Sequence, residues 1–184
     1  MYRMLGGLAI IIAAAAAVPA VAEESVYTSV DLGTCSQAPV DAKDPLQSGI
    51  WQCPGYLGIP VWITESDLRF FVSYGANAAN EIAAHETLPP FNYINSTLEW
   101  RLNDQGLPFA TILRFFTDSG DGGPENQILV VTAISPEGVC HAAYVNASIN
   151  SGANELAQAV ADMIARNFTC GYHVPLWVGV RGDL

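Results

Sequence analysis

The chain alternates most cleanly at residues 97–102, where Leu98, Trp100 and Leu102 fall on one face and Thr97, Glu99 and Arg101 on the other. This period of two predicts a half-buried strand. Upstream, residues 59–64 and 68–74 read as a hairpin around Glu65-Ser66-Asp67, with Leu68, Phe70, Val72 and Tyr74 on its core face. Residues 51–56 read as a short strand ending in a Pro-Gly turn, residues 76–86 as one short helix, and residues 91–96 as an irregular connection. Three later runs, 109–117, 128–134 and 139–147, are apolar on both faces or nearly so, which predicts strands at the centre of a sheet covered on two sides. Ser135-Pro-Glu-Gly138 joins the last two as a hairpin connection.

One of the two covers is legible. Across residues 153–168, Leu156, Val160, Met163, Ile164 and Phe168 follow the helical period, with Asn150 or Ser151 as the cap and Gly171 beyond the end. The other cover is left open among the aromatic hairpin, the 76–86 segment and a partner subunit. Residues 174–178 suit an edge strand, since Pro175 cannot donate to a ladder. The expected fold class is α+β: an antiparallel sheet of five to seven strands packed by a long C-terminal helix and stabilised by disulfides.

The first residues change the picture of where this domain matures. Arg3 precedes an apolar run over residues 5–18, and Pro19 and Ala20-Val21-Ala22 follow, the plan of a secretory signal peptide cut after Ala22. A run of about 14 residues falls short of the roughly 20 needed to span a bilayer. The expected organisation is a signal peptide at 1–22 and a single α+β domain at 23–184, of which 23–49 is an extended leader. Periplasmic or secreted localisation follows, with no membrane span after cleavage.

Cleavage removes Arg3 and moves the formal net charge from −11 to −12, with Lys43 the sole lysine. Such a chain repels phosphate backbones and excludes nucleic-acid binding as the expected role. Cys35, Cys53, Cys140 and Cys170 are even in number and lack Cys-X-X-Cys spacing, so an exported chain points to two disulfides among three connectivities. Nearest-neighbour pairing, Cys35–Cys53 and Cys140–Cys170, is the reading adopted. It would bring His141 and His173 near each other.

Candidate chemistry is sparse. Asp118, Asp121 and Glu125 sit in a glycine-rich loop whose oxygens suit a hard cation, but their spacing departs from the EF-hand pattern. Gly120-Asp-Gly-Gly-Pro124 is similar to the nucleophile loop of trypsin-like proteases but lacks the serine. Glu81 and His85 share a face of a helix without an evident third ligand. No catalytic, metal-binding or cofactor-binding residues are assigned. Trp51, Tyr56 and Trp62 cluster around the Pro-Gly turn and form the candidate binding surface, suited to an envelope protein or a glycan. The pattern does not specify an oligomeric state.

The run Cys53-Pro-Gly-Tyr-Leu-Gly-Ile-Pro-Val-Trp62, followed by Asp67-Leu-Arg-Phe-Phe-Val-Ser-Tyr-Gly75 and the Ala-Asn-Glu-Leu-Ala helix, resembles small exported proteins of unknown function from α-proteobacteria. The resemblance implies an envelope location and no activity. The expected function is a non-enzymatic envelope binding or interaction protein. The competing expectation is a small periplasmic hydrolase with a His/carboxylate site.

Overall fold

The structure, a computed structural model, describes residues 24–40, 42–43, 45–120 and 122–182. The signal peptide expected at 1–22 and the loop residue Asp121 lie outside the described residues. The strands form two sheets. The larger contains β1 (Glu24–Ser29), β6 (Asn92–Leu102), β7 (Pro108–Thr117), β8 (Asn126–Ser135), β9 (Gly138–Asn146) and β10 (Leu176–Val178), side by side in that order. The smaller contains β2 (Ser36–Gln37), β3 (Gln47–Pro54), β4 (Pro60–Ser66) and β5 (Arg69–Tyr74). All neighbours are antiparallel except β10, which runs parallel to β9.

The sheets stack face to face, and this supplies the second cover. Val61, Ile63, Val72 and Tyr74 of the small sheet pack against Leu98, Trp100, Leu113, Phe115, Ile128 and Val130 of the large one. Helix α1 (Ala153–Ile164) covers the opposite face of the large sheet, over Ile112, Leu129, Val131, Ala142 and Ala143. The six-stranded sheet is therefore a middle layer, which is why its strands are apolar on both sides. The same geometry buries Glu99 and Arg101 as well as Leu98 and Trp100.

Several expectations are corrected. Residues 23–49 are not merely an extended leader: β1 forms the edge of the large sheet, pairing from Glu24↔Leu102 to Ser29↔Thr97. Val26 packs on the inter-sheet core, and Thr28 Oγ1 accepts the Trp100 indole N–H at 2.8 Å. A strand anchored by one valine and one hydroxyl lacks the apolar alternation that announces a strand. Residues 91–96 are not irregular, because β6 begins at Asn92. The 76–86 segment is two 3-10 turns, Ala78–Asn80 and Ile82–His85, separated by Glu81 in extended conformation. Glu81 and His85 therefore do not share a helix face.

The C-terminal helix lies where expected but presents a different stripe. Ala153, Ala157, Val160 and Ala161 are buried, whereas Met163 is 69% exposed. Alanine against alanine lets the helix sit close to the sheet, so its contact face is smaller-grained than large apolar residues suggest. Gly152, in the left-handed conformation, occupies the cap position, and neither Asn150 nor Ser151 caps the helix through its side chain. Asn150 instead bonds the main chain of Val180 in both directions and ties down the C-terminal tail.

Cys35 bonds Cys53, and Cys140 bonds Cys170. The first bond joins the residue before β2 to β3, and the second joins β9 to the segment after α1. Two disulfides suit an oxidising compartment. Among the described residues, no helix is long and apolar enough to cross a membrane.

Candidate functional site

A concavity lies at one end of the sandwich, where the β4–β5 turn, the 87–91 connection and the β7–β8 loop meet. Its volume is about 460 Å³. Phe70, Phe91, Tyr93 and Phe116 supply its apolar lining, and Glu65, Asp118 and Glu125 its carboxylates. Among the described residues, no basic side chain lines it.

Local hydrogen bonds explain how this site is held. Asn92 is buried at the start of β6 and works as a clamp. Its Oδ1 accepts the Phe70 N–H at 3.0 Å, while Nδ2 donates to the carbonyls of Leu88 and Pro90 at 3.1 and 2.9 Å. The 87–91 connection is thus bound to β5 and β6 at once. Arg69 adds a bond from Nε to the Pro89 carbonyl and lies over the Phe91 ring, 5.4 Å from its centroid. Tyr93 stacks on Phe116 at 4.8 Å and donates its hydroxyl to Glu125 at 2.7 Å. That bond to a carboxylate, with the negative charge beside it, raises the Tyr93 pKa.

The β4–β5 turn places Asp67 and Leu68 at φ 51° and 58°. Two successive left-handed residues match the twist of a tight hairpin, but glycine and asparagine suit those positions far better than leucine. Leu68 was expected on the core face; the turn instead leaves it 60% exposed, lining the cleft.

The three aromatic residues singled out from sequence do not form one surface. Trp51 lies opposite Ile63 and stacks on Phe70, with ring centroids 6.2 Å apart, so it backs the cleft from the small sheet's inner side. Tyr56 packs on Trp100 at 6.5 Å. Trp62 lines a separate depression of about 370 Å³ with Ile50, Thr64, Phe71 and His85. Alternation along β3 and β4 separates them: adjacent positions face opposite sides. The aromatics that meet at the cleft come from three chain regions, and only their pairing in space reveals them.

The two described carboxylates of the acidic loop are engaged separately. Asp118 accepts the Gly120 N–H, and Glu125 is engaged by Tyr93. Among the described residues, no group of three or more His, Cys, Asp or Glu side chains could hold a metal ion.

His141 and His173 lie against opposite faces of the large sheet despite the Cys140–Cys170 bond. Cys140 faces α1, while the next residue, His141, faces the small sheet. His141 Nδ1 is 3.0 Å from the Tyr144 hydroxyl. His173 accepts the Thr169 N–H and packs on Phe168 beyond the helix. The main-chain N–H groups of Val139 and His141 point outward from β9 at the stretch β10 does not reach. They are taken by the carboxylates of Glu81 and Glu86 at 3.0 and 2.6 Å. Two side chains from the 3-10 segment thus close an otherwise open sheet edge.

Burial pushes the His141 pKa down to about 4 and raises those of Glu86 and Tyr144. Between its ordinary value near 6.5 and about 4, the unfolded chain takes up a proton at His141 that the folded chain refuses. Stability from this group is complete above the upper limit and is lost as pH falls through the window. Glu86, shifted the other way, offsets part of that loss. The expected net drop is about 2–3 kcal/mol. Denaturant titrations from pH 7 to 4 should show this slope, and His141→Gln should flatten it. An unchanged slope in the variant would assign the acid sensitivity elsewhere.

No known family model, curated protein or solved structure matches the chain.

Proposed function

We propose that the protein is an exported, non-enzymatic binding module of the envelope, periplasmic or secreted, whose sandwich-end cleft receives a basic segment of a partner protein. Leu68 carries this reading. An exposed leucine in the left-handed conformation costs about 1 kcal/mol relative to residues that suit the turn. Its apolar side chain stands at the lip of a cleft that otherwise offers aromatic faces and carboxylates. Aromatic faces and carboxylates together attract ammonium and guanidinium groups. The signal-like first residues and the two disulfides support export.

The hydrolase reading finds less support. His141 is only 1% exposed. His85 lines a depression without a carboxylate.

Leu68→Asn should raise stability by about 0.5–1 kcal/mol and weaken the partner's binding, the signature of a residue retained for contact rather than for folding. The direct test is fluorescence anisotropy with a labelled Lys/Phe peptide, with chito-oligosaccharide as the competing probe. The peptide should bind in a salt-sensitive way, and Glu65→Gln/Asp118→Asn should weaken it about tenfold or more. Asp104→Asn/Glu137→Gln, which neutralises two exposed carboxylates that do not line the cleft, should not. Equal losses in both variants would reduce the binding to general acidity. Capture of the oligosaccharide alone would overturn the basic-segment reading.

A further inference from the structure

A second pocket, about 260 Å³, lies on the helix side of the large sheet. Asn95, Thr97 and Glu99 reach it from β6 and Arg114 from β7, with Tyr27 of β1 and Asn154 of α1 beside them. Ile112 and Leu129 complete the lining.

Its charges are unusually distributed. Arg114 donates to the side-chain oxygens of Gln127 and Asn154, at 2.7 and 2.9 Å. Both partners are neutral amides, so among the described residues this guanidinium has no carboxylate partner. In a chain with 18 acidic residues against 7 basic ones, an unmatched and pre-oriented arginine is conspicuous. Glu99 is 8% exposed. It receives the Ser25 hydroxyl and the Gln158 amide on Oε1, while among the described residues Oε2 receives no donor. Arg101 stands 3.9 Å from Oε1, yet it is committed to Asp162 by two bonds. Glu99, Arg101 and Asp162 together carry one net negative charge, and Arg114 carries one positive charge. Glu99 pairs with Ile112 across the strands, and Arg114 is two residues further along the same face of β7. Such diagonal neighbours are about 7–8 Å apart. The two charges are too far apart to pair directly and near enough to be bridged by a small ligand.

We infer that this pocket binds a free α-amino acid or a similar small zwitterion. Arg114 receives the carboxylate, with Asn154 fixing the guanidinium. Glu99 Oε2 receives the ammonium, and Asn95, Thr97 and Tyr27 surround the side chain. Ligand binding would neutralise both unmatched charges together, whereas an amine alone or a carboxylate alone would leave one of them exposed to an apolar wall.

The test is differential scanning fluorimetry of the oxidised mature protein with each standard L-amino acid. N-acetyl amino acids and amino-acid amides serve as controls that lack one charge. At a hundredfold excess over Kd, a fitting amino acid should raise Tm by about 5–10 °C, and the controls should raise it far less. Arg114→Gln should weaken binding at least about tenfold. Thr97→Trp alters an exposed strand position at the pocket and should abolish the shift while leaving the unliganded Tm near that of the parent. No shift with any amino acid overturns the inference, as does a shift that survives both substitutions. A response to the acetylated controls equal to that of the free amino acids also overturns it, since the ammonium would then play no part.

Discussion

Arg101→Ala should destabilise the protein by about 3–5 kcal/mol, among the largest effects available to a single substitution here. The Arg101 side chain is 6% exposed, and its partners Glu99 and Asp162 are 10% and 28% exposed. The guanidinium makes two parallel bonds to Asp162 and a third to the Ser25 hydroxyl. It therefore ties α1 to β6 and β6 to the edge strand β1. Removing it leaves one carboxylate well buried and another partly so, neither with a cation in contact. The desolvation of those charges, more than the attraction lost, sets the size of the effect. Neutralising the carboxylates as well separates the two contributions: Arg101→Met with Glu99→Gln and Asp162→Asn should recover much of the loss. Equilibrium urea unfolding of both variants decides it. A single variant within about 1 kcal/mol of the parent would show that the network is solvated and contributes little.

The same residues show what a one-dimensional pattern can and cannot carry. Arg101, Glu99 and Thr97 read as a solvent face because they alternate with Leu98, Trp100 and Leu102. The strand assignment is sound, and the inner face is buried as expected. The polar face is covered by α1, and its charges find partners far away in sequence, such as Asp162. No local rule announces that. The central strands were legible because residues apolar on both sides admit only a middle position. The partner layer was not, because the small sheet's inner residues Val61, Ile63, Val72 and Tyr74 look like any hairpin's core face. The cleft was harder still. Phe70, Phe91, Tyr93 and Phe116 are unremarkable singly, and the Asn92 clamp that gathers them is one polar residue in an unmarked stretch. Leu68 carried a signal pointing the wrong way: its place in the alternation assigned it to the core, and the left-handed turn rotated it out.

Replacing Cys140 and Cys170 together by alanine should cost about 3.5–4 kcal/mol, against about 3 kcal/mol for the Cys35–Cys53 pair. The difference follows from loop length, since the bonds span 30 and 18 residues. The longer loop holds most of β9, a strand of the middle sheet, and all of α1, which forms the outer layer over that sheet. Without the bond, the alanine-rich helix must be retained by Ala157, Val160 and Ala161 together with the Arg101–Asp162 bridge. These are small contacts, and a protein of this size has roughly 5–15 kcal/mol in all. Hydrogen exchange should therefore rise first in α1 in the Cys140/Cys170 variant. In the Cys35/Cys53 variant it should rise in the short β2 and the adjoining end of β3, with α1 unaffected. Denaturation midpoints of the two variants measure the energetic order. Equal midpoints, or faster exchange in the small sheet when the distant bond is removed, would show that the layers unfold as one unit. The fold's dependence on its disulfides would then rest on both bonds alike.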